Sequence, residues 1–219
     1  MPAAIFWDMD GTLVDTERLW GVATYELAER LGKPLTPELR ERTVGGSFVN
    51  TLRICADNAG VDLVNGDYEH YRSWMYSRMG ELFAHDLEPN PGVIGLLSSL
   101  HAAGMPMLVT TNTERELADV CIDAVGREFF SDSITGDEVA SPKPAPDMYI
   151  EAARRVGESP SDCLVFEDSW AGMSAAAAAG CRVIGLAEEV PEGVHSFDPQ
   201  GFVGAGLPEV SQWFTTAMR

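Results

Sequence analysis

An apolar run, Ala3 to Trp7, stops abruptly at two carboxylates one residue apart, in Asp8-Met9-Asp10-Gly11-Thr12. A short apolar run bounded by turn residues is the pattern of a buried strand. In an open α/β sheet, ligands gather outside the carboxyl ends of such strands. Asp8 and Asp10 therefore stand where chemistry is expected, and Gly11 lets the backbone turn tightly away. A calcium-binding EF-hand loop needs glycine sixth and an acid twelfth. Counted from Asp8, those positions hold Leu13 and Leu19, so that reading fails. A bare Asp/Gly turn cap is common by itself, but it leaves the polar ends of the later strands unexplained.

After Asp15 the period changes. Leu19, Val22, Ala23, Leu27 and Leu31 recur at helical spacing over 17–31, and Gly32-Lys33-Pro34 ends the run. Further helices are predicted at 36–42, 48–58 and 67–83, with no strand among them. Pro89-Asn90-Pro91-Gly92 then punctuates the chain as a linker. Helices segregated in this way predict a separate lid, and lids that close over a site exclude water and select substrate. The expected division is a core of residues 1–14 and 88–219 and a helical cap of residues 15–87.

From Gly92 helices and strands alternate. Helices are predicted at 93–103, 115–125, 145–156 and 171–179, with strands at 105–109, 133–135, 163–166 and 181–186, and a last helix at 209–218. This rhythm predicts an α/β fold, a doubly wound parallel sheet. The strand ends carry Thr110-Thr111-Asn112, Gly136-Asp137 and Glu167-Asp168, and Lys143 follows in Ser141-Pro142-Lys143-Pro144. Flanking prolines stiffen the backbone that projects Lys143.

A length of 219 residues accommodates one full core and a smaller second unit. Thirty-four acidic residues against 15 basic ones, a net charge of -19, oppose a nucleic-acid partner. A small anionic substrate would need local cations, and the chain has only two lysines, Lys33 and Lys143. No apolar run approaches the length of a membrane span, and Met1-Pro2-Ala3 lacks the basic start of a secretory signal. Cys55, Cys121, Cys163 and Cys181 are scattered without metal-ligand spacing, as expected of free thiols in a reducing compartment. The expectation is a cytoplasmic protein with no membrane partner, monomeric by default.

Four polar strand ends thus fall along one sheet edge: Asp8 with Asp10, Thr111, Lys143, and Glu167 with Asp168. Phosphoryl transfer needs such a set, with a nucleophile, a metal, phosphate donors and a proton shuttle. In order and type these motifs resemble the haloacid dehalogenase (HAD) superfamily, from Asp8-x-Asp10-Gly11-Thr12 through Lys143-Pro144 to Asp168. The helical insertion resembles the cap of its subgroup with β-phosphoglucomutase and sugar-phosphate phosphatases. The resemblance implies a Rossmann-like core in which Asp8 is the nucleophile that forms an aspartyl-phosphate. It implies that Asp10 protonates the leaving group and then activates water. Thr111, or Thr110 one register earlier, would donate to the phosphoryl oxygens with Asn112 beside it. Lys143 would act as phosphate-binding and catalytic cation. Mg²⁺ would be held by Asp8, the main-chain carbonyl of Asp10, and Asp168, with Glu167 contributing directly or through water. In dehalogenase members the second motif position is not an aspartate, so Asp10 favours phosphoryl chemistry over carbon–halogen cleavage.

Two departures narrow the choice within the subgroup. Mutases carry Gly-x-Ser-Arg in the cap, and here Gly45-Gly46-Ser47 is followed by Phe48. They also carry a histidine where this chain has Trp20. A bulky apolar pair does not bind a second phosphate. A phosphonate hydrolase needs a cap lysine, and Lys33 sits in a helix-stop sequence. The expected function is Mg²⁺-dependent hydrolysis of a small phosphorylated metabolite, a sugar phosphate by resemblance. The alternatives are a sugar-phosphate mutase and a non-catalytic binding protein on the same fold. An idle site gives no physical reason to crowd carboxylates.

Overall fold

The computed structural model describes residues 1–44 and 48–217. The chain divides into two compact units, Met1–Asp15 with Glu88–Arg219, and Thr16–Leu87. The first strand, β1 (Ala4–Trp7), leads directly into the smaller unit, which is made of α1 (Glu17–Arg30), α2 (Pro37–Glu41), α3 (Phe48–Ala59) and α4 (Asp67–Asp86). Its apolar stripes face inward: Leu19, Ala23 and Leu27 from α1, Leu52, Cys55 and Ala56 from α3, and Met75, Met79, Leu82 and Phe83 from α4. Ion pairs tie the helices at their rims, Arg78 to Glu26 at 2.6 Å and Arg40 to Glu17. Helix α4 runs three residues past its expected end, because the chain offers no breaker before Pro89, and Leu87 is already extended. Phe48 lies edge-on to Tyr68 with ring centroids 5.5 Å apart; Gly45, Gly46 and Ser47 lie outside the described residues.

The larger unit continues through α5 (Val93–Ala102), β2 (Met107–Thr110), α6 (Arg115–Val125), β3 (Asp132–Ile134), α7 (Asp147–Val156), β4 (Cys163–Glu167), α8 (Trp170–Ala179), β5 (Arg182–Gly185), β6 (His195–Ser196) and α9 (Leu207–Thr216). Its six strands form one wholly parallel sheet in the order β3-β2-β1-β4-β5-β6. The expected doubly wound, Rossmann-like α/β fold is therefore present. Strands β1, β2 and β4 are buried along their full length, which is why they are continuously apolar rather than alternating. One sheet face packs Phe6, Leu108, Val165 and Val183 against Met148, Tyr149, Ala152, Met173 and Ala176 of α7 and α8. On the other face Trp7 stacks on Phe166 at 4.4 Å, and Phe202 meets Trp7 edge-on. The two-residue β6 is exposed and polar, so it left no apolar signal to be read.

Register is what builds the site. Trp7 pairs with Val109 on one side and with Phe166 on the other. The next residues of the three central strands therefore emerge side by side, and they are Asp8, Thr110 and Glu167. Among the described residues, no helix is long and apolar enough to cross a membrane. All four cysteines are buried and unpaired.

Candidate active site

Lys143 reaches the sheet edge from the loop between β3 and α7. Its ammonium donates to Asp8 Oδ1 at 2.7 Å, to the Thr110 carbonyl at 2.9 Å and to Glu167 Oε1 at 2.5 Å. Those three bonds use every proton it has. The side chains of Lys143 and Glu167 are 3% and 0% exposed, so the pairing operates away from water. Burial works against the charge on Lys143, but Asp8 and Glu167 outweigh it and hold the ammonium's pKa well above its ordinary value.

Asp8, Glu167 and Asp168 each bring a carboxylate oxygen to within 4.8 Å of the others. Three carboxylates face one ammonium. Burial, reinforced by Glu167, raises the Asp8 pKa well above the usual carboxylate range. The same two causes push Asp168 up to about 7. Among the described residues, the buried side-chain atoms without a hydrogen-bond partner are Trp7 Nε1, Asp8 Oδ2 and Thr12 Oγ1. Only Asp8 Oδ2 belongs to an ionisable carboxyl, and such an oxygen is costly to bury unmatched. Hard oxygen donors with excess negative charge and one unmatched carboxylate oxygen fit a divalent cation such as Mg²⁺.

Two glycines make room for these acids. Gly11 has a φ of 84°, and a Cβ on it would lie 1.9 Å from Asp168 Oδ2. Gly172 in α8 would place a Cβ 1.7 Å from Glu167 Oε1. Asn90 fastens the loop after β1, its amide donating to the carbonyls of Gly11 and Thr12, each at 3.0 Å.

Further bonds tie the other expected site residues into the same network. Glu167, expected to help hold the metal directly or through water, lies with Asp8 and Asp168 in the group that a shared ion could reach. Its Oε1 accepts from Lys143 and from Tyr149 Oη at 2.9 Å, and its Oε2 accepts from the Ser169 amide and hydroxyl. Glu167 thus accepts four bonds from the protein and also lies within reach of a shared ion. Asn112 is the phosphate donor expected beside Thr111. Its side chain is paired with the Lys143 backbone, Lys143 N donating to Oδ1 at 2.9 Å and Nδ2 donating to Lys143 O at 3.0 Å. The Thr110 hydroxyl bonds back to the Trp7 carbonyl inside the sheet, whereas the Thr111 hydroxyl donates to Asp10 Oδ2 at 3.1 Å.

Residues that sequence reasoning passed over complete the arrangement. Tyr149 is fully buried in α7 and supports Glu167. Thr113 donates its hydroxyl to Asp10 Oδ2 at 2.8 Å. Neither had a local signal, since Tyr149 reads as an ordinary core aromatic and Thr113 as a helix-start threonine.

Carboxylates, a buried lysine and threonine hydroxyls gather at the carboxyl ends of a parallel sheet, the edge where ligands collect in α/β folds. A family model described as haloacid dehalogenase-like hydrolase matches residues 2–180, and the chain belongs to that family. A Drosophila melanogaster protein named "Probable pseudouridine-5'-phosphatase" is 36% identical over 191 residues, covering 81% of this chain and 78% of the relative. A Thermotoga maritima protein named phosphorylated carbohydrates phosphatase is 30% identical over 192 residues, covering 87% and 88%. Among solved structures, CbbY from Rhodobacter sphaeroides in complex with phosphate superposes with a TM-score of 0.76 at 26% identity, covering 96% of this chain and all of that one.

Proposed function

We propose that this chain is a Mg²⁺-dependent phosphatase that hydrolyses a small phosphorylated metabolite, a sugar phosphate, through an aspartyl-phosphate on Asp8. The observation that carries the reading is the buried Asp8–Lys143–Glu167 cluster with Asp168 and Asp10 at the same sheet edge. The names of its relatives support the substrate class.

In this reading the Asp8 carboxylate attacks phosphorus as the bond to the leaving oxygen breaks. Asp10 gives that oxygen its proton. Asp10 then takes a proton from water as the water attacks phosphorus, which frees Asp8 and inorganic phosphate. Lys143 holds Asp8 in place and offsets charge on the phosphoryl oxygens, and Thr111 donates its hydroxyl to one of them. Asp8, Asp168 and the main-chain carbonyl of Asp10 would hold Mg²⁺, with Glu167 contributing directly or through water while it positions Lys143. Mg²⁺ bound there neutralises the repulsion between these carboxylates and a phosphate dianion. We assign substrate choice to the helical cap, residues 15–87.

Incubating the protein and Mg²⁺ with a panel of phosphorylated sugars, nucleotides and glycolytic acids tests the function directly. Phosphate release from at least one sugar phosphate, abolished by EDTA, is the expected result. Release from none of them would defeat the reading. So would conversion of glucose 1-phosphate to the 6-phosphate without free phosphate, which is the mutase outcome.

Metal binding should also depend on pH. Asp168, pushed up to about 7, must shed its proton before it can ligate. The thermal stabilisation produced by a fixed Mg²⁺ concentration should therefore be large above about pH 7 and should shrink as the pH falls below it. An equal or larger shift in acid would remove Asp168 from the metal set.

A further inference from the structure

We propose that Thr113 is a positioning residue for Asp10: its hydroxyl keeps the carboxyl in place when Thr111 turns to the substrate. The inference rests on the reading of Asp10 as proton donor and acceptor, and deepens it. In the structure both hydroxyls converge on one oxygen, Asp10 Oδ2, from Thr111 at 3.1 Å and from Thr113 at 2.8 Å. The Thr113 amide in turn donates to Thr111 Oγ1 at 3.0 Å, which fixes that hydroxyl as acceptor on one side and donor on the other.

A hydroxyl has a single proton to donate. Once Thr111 gives its proton to a phosphoryl oxygen, its bond to Asp10 is lost. Thr113, nearer to Oδ2 than Thr111, still has its proton for that oxygen.

The loop that carries Thr113 is anchored well enough for this work. Arg115 N donates to Asp137 Oδ1 at 3.0 Å, and its guanidinium bonds Ser133 Oγ at 2.7 Å and Glu138 Oε2 at 2.6 Å. Gly136 lies so close beneath that a Cβ there would stand 2.3 Å from the Asn112 carbonyl oxygen. The segment 111–115 is thus fastened to the end of β3, and the Thr113 hydroxyl is presented from a fixed backbone.

Leaving groups of different quality test the assignment, because a general acid matters little when the leaving group departs easily. The rate constant kcat/KM, which covers leaving-group departure, is measured with p-nitrophenyl phosphate, phenyl phosphate and fructose 1-phosphate. Thr113→Val should lower it about tenfold or more with the two poor leaving groups and much less with p-nitrophenyl phosphate, as partial loss of general acid catalysis requires. Thr113→Ser should restore the wild-type pattern, and Thr113→Val should add no further loss to Asp10→Asn. Thr113→Ala carries the same test if the valine variant does not fold. Equal losses with all three esters, or an undiminished loss in the Asp10→Asn background, would overturn the proposal. If Asp10→Asn shows leaving-group dependence and the Thr113 variants do not, only the role of Thr113 fails. If Asp10→Asn shows none, or the wild type cleaves no ester, the phosphatase mechanism fails and the proposal falls with it.

Discussion

Asp8→Asn should reduce phosphate release by about 10⁴-fold or more, the scale on which enzymes lose a covalent nucleophile, while the fold is kept. The two consequences separate because of the local bonding. Asparagine is close in shape to aspartate, and its carbonyl oxygen can still accept from Lys143 Nζ, which lies 2.7 Å from Asp8 Oδ1. Lys143 also keeps Glu167 and the Thr110 carbonyl. The variant removes one of three crowded carboxylates, and burial already raises the pKa of that one. Thermal unfolding of the metal-free variant should therefore occur at or above the wild-type temperature. Retained turnover would remove Asp8 from the chemistry, and a large drop in stability would mean that its charge is structural.

Lys143→Met should damage both activity and stability. Its side chain is 3% exposed, and its ammonium is the shared partner of Asp8 and Glu167. Removing one member of a buried ion pair leaves an uncompensated charge and costs about 3–5 kcal/mol. Here two carboxylates are stranded, and Asp168 adds a third nearby. Urea unfolding without Mg²⁺ should show a loss on that scale, and turnover should fall by about 10²-fold or more as the electrostatic contribution disappears. Pairing the change with Asp8→Asn should recover part of the stability, because one stranded charge is then gone. Full stability in the single variant would mean that water or a proton already satisfies the cluster.

Much of this was legible in the sequence for a simple reason: it depends on local patterns. Buried parallel strands are continuous apolar runs, so β1, β2 and β4 announce themselves, and their polar ends mark the sheet edge. Asp8, Asp10, Lys143 and Asp168 stand at such ends or in a proline-stiffened loop. The fold class and the family followed from their order. What was not legible depends on register and on side-chain direction across elements. Thr110 and Thr111 are adjacent, and only the pairing of β2 with β1 turns the first inward to the Trp7 carbonyl and the second toward Asp10. Asn112 meets the Lys143 backbone 31 positions away, and no local spacing reports that. Glu167 reads as a metal ligand beside Asp168, and nothing in its neighbourhood reports that Tyr149 and Ser169 also bond its oxygens. Asn90, which the sequence offers as linker punctuation, holds the loop after β1 from 78 or 79 residues away.

The central claim, that Asp8 itself takes up the phosphoryl group, is tested most directly by rapid quenching of a single turnover with radiolabelled sugar phosphate. Label should appear transiently on the protein, map to the peptide containing Asp8 and vanish as free phosphate forms. Phosphate released at the full rate with no protein-bound label at any time would contradict the account.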